Sequence, residues 1–81
     1  MMPLSMVELN QEVKLVSILG GARIKKRLAD LGLNVGMTIK VLRRNGGGPM
    51  ILAVKDSRLA LGMGVANKIL VENVNTASWM K

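Results

Sequence analysis

Apolar residues occur along the chain in short runs separated by glycine, and the spacing inside each run predicts the element it forms. Ser5 and Glu8 stand three positions apart as in a capping box, with Leu4 and Leu9 at the two staple positions, so a short N-terminal helix is expected over about residues 6–10. Residues 12–19 (EVKLVSIL) are dominated by Val, Leu and Ile without a breaker, which predicts a strand that stops at Gly20-Gly21. Over residues 22–31, Ile24, Leu28 and Leu31 recur at helical spacing while Arg23, Lys26, Arg27 and Asp30 project the other way, at about 100° per residue. That is an amphipathic helix with a basic outer face. Gly32 stands where a left-handed stop is wanted and Leu33 where a side chain folds back on the last turn, the two marks of a Schellman ending.

Asn34-Val35-Gly36 reads as a turn with the glycine supplying positive φ. Thr38–Arg44 (TIKVLRR) alternates as a strand, and Gly46-Gly47-Gly48-Pro49 continues neither helix nor central strand, so a flexible hairpin loop is expected there. Residues 50–55 and 58–61 flank Asp56-Ser57 and predict a second hairpin; Gly62-Met63-Gly64 then breaks the chain. One helical turn over 65–68 and a last strand over 69–71 complete a domain of residues 1–74, with 75–81 as a disordered tail. About five short strands with one helix inserted between the first two imply a mainly β fold, a small closed or nearly closed barrel that hides its sheet edges.

Composition narrows the chemistry. At 81 residues the chain supports one thin core, burying about 60–65% of the surface exposed when unfolded. It has no cysteine and no histidine, which removes disulfides, thiolate nucleophiles, sulfur-based zinc sites and the usual general base. Glu8, Glu12, Asp30, Asp56 and Glu72 are scattered over different predicted elements, with no pairing that would poise one as acid and another as base. No catalytic residue, cofactor or metal site is expected. The opening MMPLSMVELN lacks the basic start and continuous apolar core of a signal peptide, and no uncharged stretch approaches the roughly 18 residues of a membrane helix. A cytoplasmic location without membrane insertion follows as an expectation.

The glycine loops do not carry phosphate chemistry. Gly46-Gly47-Gly48-Pro49 lacks the following Lys-Ser or Lys-Thr and opens a strand, not a helix. Gly20-Gly21 does precede a helix, where a strand-to-helix turn explains it. Twelve basic residues against five acidic ones give a net charge of +7, which calls for an acidic partner: nucleic acid, anionic lipid or an acidic protein face. The single aromatic, Trp79, argues against a nucleic-acid platform of stacked bases, so nucleic acid is the second choice. The candidate partner surface is therefore the helix face of Arg23, Lys26 and Arg27, with Arg43 and Arg44 as its extension. Seven methionines are spread without clustered spacing, as core fillers would be; Met50 and Met63, which border glycine loops, are the two read as adaptable partner contacts.

Taken in order, the segment 4–9, Gly20-Gly21, Arg27-Leu28, Leu31-Gly32-Leu33, Gly36, Ile39, Val41, Gly48-Pro49 and the segment 66–71 together resemble the FeoA family. The resemblance spans residues 4–74 and rests on joint order and spacing. It implies an SH3-like β-barrel acting as the small cytosolic accessory of ferrous-iron uptake, with the membrane iron permease and its cytosolic G domain as partner. A similar domain closes some iron-dependent repressors, whose DNA reader and metal ligands have no room here. The chain departs from the family pattern at Val35, where many relatives carry proline, and at Gly62-Met63-Gly64, where many carry arginine soon after the strand.

Overall fold

A computed structural model describes residues 1–44 and 48–74. The described residues form six strands: β1 (Met2–Pro3), β2 (Glu12–Ile18), β3 (Thr38–Arg44), β4 (Met50–Val54), β5 (Ser57–Leu61) and β6 (Ile69–Asn73). Helix α1 (Ala22–Asp30) connects β2 to β3, and a one-turn helix α2 (Met63–Ala66) lies between β5 and β6. All pairings are antiparallel, and the sheet runs in the order β1-β6-β2-β3-β4-β5. The fold is mainly β, as expected, but among the described residues the ladder does not close: β1 and β5 remain edges. A two-residue β1 whose Pro3 has no N–H offers little with which to close it.

Alternation along the strands selects the core. Val13 and Leu15, Ile39 and Val41, Met50 with Leu52 and Val54, Leu61, Ile69 and Val71 form one apolar cluster with Leu4, Val7, Leu28 and Leu33. Two bulges adjust this pattern. An extra residue, Val16, sits between the pairs Leu15↔Val71 and Ser17↔Leu70, which lets both Leu15 and Ile18 face inward despite their odd spacing. Leu42 plays the same part between Val41↔Leu52 and Arg43↔Ile51, turning Arg43 outward and leaving Arg44 beside buried Met50.

The N-terminal segment departs from the helix expected over residues 6–10. Leu4–Met6 forms a single 3-10 turn, Val7 is already extended, and no side chain caps the turn. Pro3 occupies the capping position, so Ser5 falls inside the turn, where its hydroxyl donates to Asn67 Oδ1. Leu4 is buried while Leu9 is 48% exposed, so the two do not form a staple. The second hairpin turns at Lys55-Asp56, one residue earlier than expected, because Val54 pairs with Ser57 and Lys55 adopts φ 55°. The final helical turn likewise starts at Met63, not 65, and the last strand runs on to Asn73. The expected tail, 75–81, and part of the glycine loop, 45–47, lie outside the described residues.

Candidate functional site

Helix α1 starts abruptly because Gly20, at φ 107°, reverses the chain after β2; a Cβ there would stand 3.1 Å from Ile24 Cδ1. It ends as the sequence predicts. The Gly32 N–H donates to Ala29 O at 2.9 Å and the Leu33 N–H to Leu28 O at 2.8 Å, with Gly32 at φ 94°, the paired bonds of a Schellman motif. This ending buries both Leu28 and Leu33 in the core cluster, and so fixes the roll of the helix against it.

With that roll set, Arg23, Lys26 and Arg27 are all exposed, and Lys25, outside the expected basic face, joins them. Leu28 alone of the predicted apolar stripe is fully buried; Ile24 is half-buried and Leu31 is 44% exposed. The reason is a slot between the helix and the passage from β5 into α2. Ile24, Arg27, Leu28 and Leu31 face Ala60, Leu61, Gly62 and Val65 across a cavity of about 110 Å³. The walls are apolar and Arg27 is their one ionisable residue. On the other flank of α1, Lys25 shares a wider, open groove with Val16, Leu33 and Val35, the last of which is 60% exposed.

The remaining predicted residues do not join this surface. Met50 is fully buried among Leu52, Leu61 and Val41, so it is a core side chain and not a partner contact. Its alternation with Leu52 and Val54 carried that signal in the sequence, and the neighbouring glycines obscured it. Met63 opens α2 half-buried against the core, directly after the slot residue Gly62. Arg44 points away from the helix: its Nη1 donates to Ser5 O at 3.0 Å and to Val7 O at 2.5 Å, tying down the N-terminal segment. Arg43 instead lies with Leu42, Ile51 and Arg58 on the outer face of the sheet. The basic surface is thus two patches, one on α1 and one on the β3-β4-β5 face.

Among the described residues no cluster of three or more carboxylates is placed to hold a metal ion, and no helix is long and apolar enough to cross a membrane. What these elements define is a small β domain presenting a cationic helix beside an apolar slot. Comparison with known proteins gives its family. The chain belongs to the FeoA family, whose FeoA domain matches residues 2–73. It is 40% identical over 73 residues to the "Putative Fe(2+) transport protein A" of Methanocaldococcus jannaschii, covering 90% of this chain and 88% of that one. Among solved structures it is similar to the crystal structure of an iron uptake regulatory protein (FeoA), with a TM-score of 0.83 and 36% identity over 89% of this chain and 96% of the other. It is also similar to the FeoA-like protein from Clostridium acetobutylicum, with a TM-score of 0.80 and 27% identity over 90% and 86% of the two chains.

Proposed function

We propose that this chain is a non-catalytic cytoplasmic accessory of ferrous-iron uptake that docks on the membrane iron permease, on its G domain or its membrane part, and modulates transport. The observation that carries this reading is the juxtaposition on α1: exposed Arg23, Lys26 and Arg27 beside a slot whose far wall is Ala60, Leu61 and Val65. Such a surface takes an acidic protein face that inserts one apolar side chain, the combination of steering charge and buried anchor that protein interfaces use. Family membership and the named iron-transport relative supply the setting.

The test is an NMR titration of the isotope-labelled chain with the permease's soluble G domain, repeated with the R23E/K26E/R27E variant and with short duplex DNA. Saturable shifts on α1 and the slot residues, lost in the variant and absent with DNA, are expected. Docking that survives charge reversal would move the surface elsewhere. Shifts with DNA alone would replace the reading by a nucleic-acid one, and silence of the G domain would direct the search to the membrane part.

A further inference from the structure

The two edges of the sheet are guarded very differently. Edge strand β1 is two residues long and ends in Pro3, which has no N–H to offer. Edge strand β5 (SRLAL) is five residues long, contains no proline and pairs with β4 in unbroken register. Lys55-Asp56 is a two-residue loop, so the flanking pair Val54↔Ser57 is a bonded one, and bonding toward β4 alternates along Ser57, Leu59 and Leu61. The N–H and C=O groups of Arg58 and Ala60 therefore point off the sheet. Both residues are exposed, and no backbone bond from any other described segment reaches them.

We infer that the free edge of β5 receives an extended acidic segment of a partner protein, which adds to the sheet as a further strand through the backbone of Arg58 and Ala60. This deepens the docking reading and rests on it, by naming what the partner presents. Charge selects the occupant. Arg58 and Lys55 lie along the edge and Arg23 and Arg27 on the adjoining helix, against Asp56 and Asp30. A second copy of this chain would bring +7 against +7, whereas an acidic strand is drawn in. The pleat sets the partner's pattern. Arg58 lies across from Ala53 on the outer face, so the residue beside it there is an Asp or Glu. Leu61 lies across from buried Met50, so the partner residue on that face is apolar and directed to the slot of about 110 Å³.

A capped peptide Glu-Val-Glu-Val-Glu, titrated into the isotope-labelled full chain, tests this without the permease. The Arg58 and Ala60 amides should shift and gain protection from hydrogen exchange, and the Lys-Val-Lys-Val-Lys peptide should not bind. Proline is tolerated where a strand N–H faces solvent, so Ala60→Pro should fold as the parent does yet weaken peptide binding by about tenfold or more. Peptides N-methylated at alternate residues give a readout independent of that variant: one phase should abolish binding and the other leave it intact. Shifts confined to α1, parent-like binding by Ala60→Pro, equal loss in both methylation phases, equal affinity for the two peptides, or no binding at all would each overturn the inference. Peptide addition without G-domain docking would remove the docking reading alone; docking through α1 without a peptide response would remove only the strand.

Discussion

Arg44 offers the sharpest test of how this small domain holds together. Its two donated bonds reach Ser5 and Val7, on either side of the point where the N-terminal turn gives way to extended chain, and that segment carries the buried side chains of Leu4 and Val7. A hydrogen bond to a charged group is worth about 1.5–3 kcal/mol at full value. Arg44 is an exposed residue, water competes for both carbonyls once its guanidinium is gone, and the low end applies, so Arg44→Ala should cost about 1–2 kcal/mol. Against a total of about 4–12 kcal/mol for a chain of this length, that is a large share. Thermal unfolding by circular dichroism should show the midpoint falling by about 5–15 °C. Hydrogen exchange should accelerate at the Val7 and Asn10 amides, which bond Leu4 O at 3.2 Å and Val41 O at 2.7 Å. Arg43→Ala, on the outer face, is the matched control and should leave both readouts unchanged. An Arg44→Ala midpoint within about 2 °C of the parent would refute the assignment of a clamp to this side chain.

Other outcomes follow from the packing. Met50→Ala should destabilise by about 2–4 kcal/mol in denaturant titration, whereas Met50→Leu should stay within about 1.5 kcal/mol, because the site is fully buried and wants volume. Gly32→Ala meets no steric obstacle but must hold φ 94°, so it should cost about 1–2 kcal/mol by the same measurement. The R23E/K26E/R27E variant should melt within about 5 °C of the parent. All three side chains are exposed, and the gain from an acid at position 23 in the first turn offsets part of the loss of Arg27 from the last turn and the repulsion of the new acids by Asp30. Its expected loss of docking would then be a loss of surface, not of fold.

The parts of this structure that were legible in the sequence are those governed by neighbours along the chain. The α1 helix and its Gly32-Leu33 ending depend on contacts within one turn, and the turn at Gly36 on one residue's freedom to take positive φ. The N-terminal helix was misread because the capping-box spacing of Ser5 and Glu8 ignores Pro3, and because Ser5 finds its partner at Asn67, far along the chain. Strand order was out of reach for the same reason: pairing of β6 with both β1 and β2 is a long-range choice that no local spacing encodes. The bulge at Leu42 exchanges the roles of Arg43 and Arg44, which reads as one basic patch in sequence and as an outer-face cation and an internal clamp in space. On α1 the basic face was visible; the slot beside it was not, since half its wall comes from Ala60, Leu61, Gly62 and Val65.

The placement of β6 bears on how the protein is made. The last strand among the described residues is an interior strand of the sheet, inserted between β1 and β2, and it delivers Ile69 and Val71 to the core. A nascent chain that has reached α2 still lacks that filling: β2 has one bare flank, and β1 has nothing to pair with. The domain therefore cannot assemble until β6 is available, so its folding is nearly all-or-none. Messages cut short before residue 69 would yield not a weakened protein but an apolar ribbon with an open edge, the form that proteases and chaperones clear first.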